Sequence, residues 1–169
     1  PTIFISLKEM KNSTFDAQVS SFGDIIKNVI LQNKELLESV YVDESDRIIL
    51  QDFRFLKGTL NQLKYSLKTI SRCLYNHYHQ KVIILIDEYD VPLQSAYQNN
   101  YYDEMVEFLR NIFSSALKTN DALEKSILTG CLRISKESIF TGLNNFKAYS
   151  ILYKSKNEFF GFNESEVKQ

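Results

Sequence analysis

The sequence predicts an α/β domain whose mainly parallel sheet is flanked by helices. Three observations carry this expectation. Val82-Ile83-Ile84-Leu85-Ile86 is an unbroken apolar run with four β-branched members, which predicts a strand buried on both faces. Long segments with apolar residues at helical spacing stand on both sides of it. Shorter runs rich in β-branched residues recur at 2–7 and 126–132. Strands alternating with long helices make parallel sheets, and such sheets bind ligands beyond the carboxyl ends of their strands.

The elements follow in order. Thr2-Ile3-Phe4-Ile5-Ser6-Leu7 is a short strand. Asn12 or Ser13 caps a helix that buries Val19, Phe22, Ile26, Val29 and Ile30 and runs to about Glu38. A second helix, 46–57, buries Ile49, Leu50, Phe53 and Leu56 and stops at Gly58. Thr59 or Asn61 opens one long helix to His79 or Gln80, with Leu60, Leu63, Leu67, Ile70, Leu74 and Tyr78 as its stripe. After the central strand, Tyr101–Lys118 keeps the helical period through Met105, Phe108, Leu109, Ile112, Phe113, Ala116 and Leu117. Ser126–Leu132 is a strand, Ser135 caps a short helix to Phe140, and Tyr149–Leu152 is one more short strand. The strands 2–7, 82–86 and 126–132 are expected to run parallel, and an apolar edge at 126–132 would be open to pairing with another chain or with Tyr149–Leu152.

Composition narrows the function. The 169 residues fit one domain, 1–169, and 44% hydrophobic residues are enough for a proper core. Twenty Lys and Arg against 21 Asp and Glu give no electrostatic case for nucleic-acid or membrane attraction. Cys73 and Cys131 are isolated, without a CxxC pair, and read as small apolar fillers in a reducing cytoplasm. No run is long enough to span a bilayer, and no basic-then-apolar leader opens the chain. Pro1 leads straight into an apolar stretch, as in an interior fragment or a chain trimmed at its ends.

The chemistry lies after the central strand, at Asp87-Glu88-Tyr89-Asp90. A buried strand ending in Asp-Glu fits the second nucleotide motif of P-loop ATPases. The strand holds two carboxylates at the rim, one for Mg²⁺ (Asp87) and one to orient and polarise the attacking water (Glu88). Adjacent strand residues point in opposite directions, and a turn at the strand end lets the pair divide these roles. The plainer reading is an inner-strand acid satisfied by helix N-termini and solvent. The partner motif G-x-x-x-x-G-K-[ST] is absent, since the five glycines never take that spacing.

Three stretches together resemble one family: 82–93 (VIILIDEYDVPL), 101–104 (YYDE) and 127–145 (ILTGCLRISKESIFTGLNN). They are similar to the bacterial predicted AAA-ATPase-like family, whose members often carry a C-terminal PD-(D/E)XK nuclease-like domain. The resemblance runs from about Pro1 to Gln169. It implies a partial P-loop NTPase fold whose phosphate loop lies upstream of this chain and whose nuclease-like domain lies downstream, with the acidic strand in the middle of the order 2–7, 82–86, 126–132. It further implies Asp87 and Glu88 in the Mg²⁺ and water-activating positions, with Asp90 in the same signature as a cofactor-side residue. Thr129 falls where a polar sensor of the γ-phosphate sits, and Arg133 in Thr-Gly-x-x-Arg would stabilise phosphate charge. Arg133 reads equally well as a surface partner of Glu137. ATP and Mg²⁺ are expected in the intact parent and neither in this chain alone, which lacks a cradle of backbone N–H groups and a Lys. A regulatory or interaction module with a degenerate nucleotide site is the rival reading. Nucleic acid enters only through the nuclease-like domain.

Other features have bland readings. His77 and His79 are two apart and do not share a helical face, so cations at a helix end explain them better than a metal site. Tyr101 and Tyr102 read as cover at a helix start rather than as base-stacking groups. Phe159, Phe160 and Phe162 are either docking surface or the edge of the core.

Overall fold

A computed structural model describes residues 1–131, 139, 140, 147, 149 and 164–167. Three parallel strands, β1 (Thr2–Ser6), β2 (Val82–Asp87) and β3 (Leu123–Leu128), form a sheet in the order β1-β2-β3, so the acidic strand is central. Between β1 and β2 lie α1 (Phe15–Gln32), a 3-10 turn (Lys34–Leu37), α2 (Glu44–Arg54), α3 (Leu60–Lys64) and α4 (Ser66–Tyr78). Between β2 and β3 lie α5 (Val91–Gln98) and α6 (Tyr102–Leu117), and a short α7 (Glu164–Val167) follows far downstream. The strand order and direction are those the sequence predicts, and the fold is α/β with helices flanking a parallel sheet.

One face of the sheet is sealed. Ile3 and Ile5 pair in register with Ile84 and Ile86, and all four are essentially inaccessible. Helices α1, α4 and α6 contact β1, β2 and β3, and their apolar stripes join these isoleucines in one core. The other face differs from the expectation of a strand buried on both sides. Phe4, Leu85 and Ile127 align across it, and Phe4, Ile83 and Ile127 stay 57%, 37% and 47% exposed. The apolar run fixed the strand but not its cover, because strand burial depends on what packs above it. At the β3 edge, exposed Glu124 and Lys125 interrupt the apolar residues, a charge pattern that blunts pairing.

The boundaries moved where tertiary partners took over backbone groups. Thr14, not Asn12 or Ser13, caps α1, its hydroxyl accepting from Ala17 N–H. Asn12 is committed elsewhere: its amide donates to Ser21 and its carbonyl accepts from the Ser95 and Tyr101 hydroxyls. The expected 59–79 helix breaks at Tyr65, which closes α3 and opens α4. Ser66 donates to the Leu63 carbonyl and Ser115 of α6 to the Lys64 carbonyl, so two acceptors of that turn are satisfied from outside the helix ladder. Thr59, one of the two expected starts, caps α3 and forms a capping box with Gln62.

Helix α2 ends earlier than Gly58, in a Schellman arrangement: Lys57 N–H bonds to Asp52 O and Leu56 N–H to Phe53 O. Leu56 holds the left-handed position, φ 57°, that usually goes to glycine. Gly58 is needed for a different reason, since a Cβ there would lie 2.7 Å from the Phe53 ring. The strand expected at 126–132 begins three residues earlier, and its ladder ends with Thr129 N–H on Ile86 O and Tyr89 N–H on Thr129 O. The elements expected near Ser135 and at 149–152, and the aromatic cluster around Phe160, fall on or across residues outside the described set, although Ile139 and Phe140 pack into the core.

Candidate functional site

The candidate site is the carboxyl end of β2. Asp87 is the last residue of that central strand and is half-buried. Its Oδ1 accepts from Glu88 N–H at 3.0 Å and from the Thr129 hydroxyl. Its Oδ2 carries no hydrogen bond among the described residues. The only proton of the Thr129 hydroxyl is thereby committed to the carboxylate, so threonine orients aspartate. The sequence places these two residues 42 positions apart; the parallel pairing of β2 with β3 brings them together.

Glu88 occupies the left-handed region, φ 54°, a conformation that costs a residue with a Cβ about 1–2 kcal/mol. The turn is what separates it from Asp87: a strand continued at extended angles would only alternate the two carboxylates across the sheet. A glycine would relieve the strain, and a glutamate stands there instead. Strain of this kind concentrates where a side chain is needed at a fixed place.

Asp90 lies apart from this pair. It is 1% exposed, and its carboxylate accepts from Gln94 Nε2 at 2.7 Å and from Cys131 N–H at 3.3 Å. The three carboxylates therefore do not converge, and no group of three or more acidic, His or Cys side chains among the described residues could hold a metal ion. Arg133 lies outside the described residues. Tyr89 packs edge-on against Phe140, which stacks on Phe113 of α6, so the ring between the acidic residues anchors the turn to the core.

The remaining candidates are structural. His77 Nδ1 meets the Ser39 hydroxyl at 2.8 Å, and His79 closes α4 at φ 55° with its ring against Tyr41. Tyr101 is buried, and its hydroxyl donates to Asn12 O and accepts from Gln18 Nε2, tying the segment after β1 to the α5–α6 junction. Tyr102 packs edge-on against Tyr97. A groove of about 200 Å³ lined by Val19, Gly23, Asp24, Phe53, Leu56 and Leu63 opens between α1 and the α2–α3 connection, and none of Asp87, Glu88, Asp90 or Thr129 lines it. No helix among the described residues is long and apolar enough to cross a membrane.

Sequence reading missed one strong electrostatic feature. Asp46 of α2, 4% exposed, receives both Nε and Nη2 of Arg72 of α4, at 2.8 and 2.6 Å. The pairing raises the Arg72 pKa, with the Asp46 hydrogen bond as the main cause. Burial, reinforced by the Asp46 charge, pushes the neighbouring Cys73 thiol up to about 12.

The model of a family described as "Predicted AAA-ATPase" matches residues 1–140. A protein of Azotobacter chroococcum mcd 1, named only as an uncharacterized protein in the vnfD 5' region, is 36% identical over 74 residues. That stretch is 43% of this chain and 14% of the relative, so the chain matches only a small part of that protein's length. No solved structure matches.

Proposed function

We propose, from the premise that this chain belongs to the predicted AAA-ATPase family, that its ATPase-related role is to supply the acidic strand and the sensor strand of an ATP-binding and hydrolysing domain. The observation that carries the reading is the end of β2. A central parallel strand delivers Asp87 and a strained Glu88 to the rim, and Thr129 of the neighbouring strand holds Asp87 in place. This reading requires a Gly-Lys-Thr phosphate loop supplied by a longer parent.

The residues divide the work by chemistry. Asp87 would hold Mg²⁺ through its Oδ2, mostly by way of water, and bound Mg²⁺ neutralises phosphate charge. These residues fit that group: one oriented carboxylate with a free oxygen is the protein share Mg²⁺ takes when substrate phosphates and water supply the rest. Glu88 orients the attacking water and accepts its proton. Thr129 senses the γ-phosphate by turning its hydroxyl from Asp87 to a phosphate oxygen. Arg133 offsets negative charge on the transferred group.

The test is Glu88→Gln in the longer parent carrying a Gly-Lys-Thr loop. Glutamine keeps the shape and removes the basicity. Nucleotide binding should persist while hydrolysis falls by roughly 10²-fold or more. Hydrolysis at the wild-type rate would remove Glu88 from this role, and a parent that binds no nucleotide would favour a regulatory or interaction module with a degenerate site.

A further inference from the structure

We infer that Asp90 is a positioning residue rather than a ligand-facing acid: it latches the Thr129-Gly130-Cys131 turn onto the end of the acidic strand. At the start of α5, just ahead of Pro92, an aspartate ordinarily caps the helix with its side chain. Here the Asp90 backbone carbonyl accepts from Leu93 and Gln94 N–H, and its carboxylate makes no cap bond. It is turned to the other side, where Oδ1 receives Cys131 N–H at 3.3 Å and Oδ2 is held by Gln94 Nε2 at 2.7 Å.

Gly130 fits this latch from the opposite side. A Cβ on it would lie 2.6 Å from Asp90 Oδ1 and 2.9 Å from the Tyr89 ring. Asp90 is 1% exposed and the Tyr89 ring is packed on Phe140, so neither can simply swing away. The turn is therefore gripped on both sides of Gly130. Asp87 holds the Thr129 hydroxyl on one side, Asp90 holds the Cys131 amide on the other, and Tyr89 N–H takes the Thr129 carbonyl between them. Loss of the Asp90 grip frees the turn that sets the Thr129 hydroxyl, and so the orientation of Asp87. This consequence for hydrolysis rests on the proposed function; the latch itself does not.

Asp90→Asn separates the two roles. Asparagine keeps an oxygen for Cys131 N–H, and its amide can meet the Gln94 side chain once that amide turns over, so geometry survives while charge is lost. Hydrogen exchange on the nucleotide-free chain should show the Cys131 amide protected in wild type and in Asp90→Asn, and exposed in Asp90→Ala. Gly130→Ala should expose it too, and the double variant should add little, because both break one contact. In the parent, Asp90→Ala should lower kcat by roughly tenfold to 10²-fold with KM for Mg·ATP little changed, and Asp90→Asn should restore most of the rate. Asp90→Asn behaving like Asp90→Ala in hydrolysis, or a Cys131 amide indifferent to Asp90→Ala, would overturn the latch. A wild-type parent without ATPase activity would defeat the proposed function, and the exchange arm would still decide this inference.

Discussion

Two acidic regions of the molecule treat the same chemical group in opposite ways. Asp46 is buried and neutralised in place by the Nε and Nη2 donors along one edge of the Arg72 guanidinium. Asp87 sits half-buried at a strand end, braced by a neutral hydroxyl and an amide, with no cation bonded to it among the described residues. Beside Asp46 the backbone is regular helix; beside Asp87 the next residue is held at φ 54°. A protein that supplies its own countercharge has used the carboxylate to hold two helices together. A carboxylate fixed in place with no cation bonded to it among the described residues is, on the proposed function, half of a contact whose other half comes from a ligand.

The largest break in this comparison should come from Arg72→Ala. It leaves Asp46 buried without its partner, and the cost should be about 3 kcal/mol, at the low end for a buried pair because Arg72 is itself 47% exposed. Asp46→Ala should cost less, since Arg72 can turn to solvent. Urea unfolding of both variants checks the order, and equal losses would mean the pair is no more than a surface contact.

A smaller effect separates strain that serves a ligand from strain that does not. Leu56 and Glu88 both occupy the left-handed region. Glycine at either position should stabilise the fold by about 1 kcal/mol. In the parent, Leu56→Gly should leave hydrolysis intact, whereas Glu88→Gly should abolish it. A Glu88→Gly variant less stable than wild type would show that its side chain contributes to the fold more than its backbone costs.

The smallest signal uses the two thiols as reporters. Cys73, beside Arg72, is fully buried, and Cys131, beside Gly130, is exposed. With the Cys73 pKa pushed up to about 12, burial first and Asp46 second, the thiol holds its proton until pH rises toward that value. At pH 8 its reactive thiolate fraction is about 10⁻⁴. A disulfide reagent at pH 8 should therefore modify one thiol per folded chain, at Cys131, and two in urea. Two fast thiols in the folded chain would contradict the sealed packing of α4.

The central strand was legible because an apolar β-branched run between helical periods has few other uses, and β2 lies where that run does; the strand order came from the resemblance to P-loop ATPases. The boundaries were less so. Ser115 lies 51 residues from the Lys64 carbonyl it satisfies, and no local pattern shows that α3 must stop there. The Asp46–Arg72 pair was invisible for the same reason, its members lying on separate helices with ordinary surface-like spacing. At the site, resemblance singled out Asp87, Glu88 and Thr129, and the structure adds the bond between Asp87 and Thr129. It could not give the Glu88 backbone, because glutamate does not advertise a left-handed turn. Nor could it give the inward turn of Asp90, since an acid in an acidic signature reads as facing the ligand until Cys131 and Gly130 are seen against it.

The central claim is that Asp87, and not Asp46, carries a charge meant for a ligand. The direct measurement is the shift in unfolding temperature that Mg·ATP produces in the longer parent. At about 100 times its Kd, a ligand that binds only the folded state adds about 2.7 kcal/mol. Asp46→Asn should start from a lower unfolding temperature and keep the full Mg·ATP shift, while Asp87→Asn should start near wild type and lose most of it. A full shift in Asp87→Asn, or a shift lost in Asp46→Asn, would contradict the account.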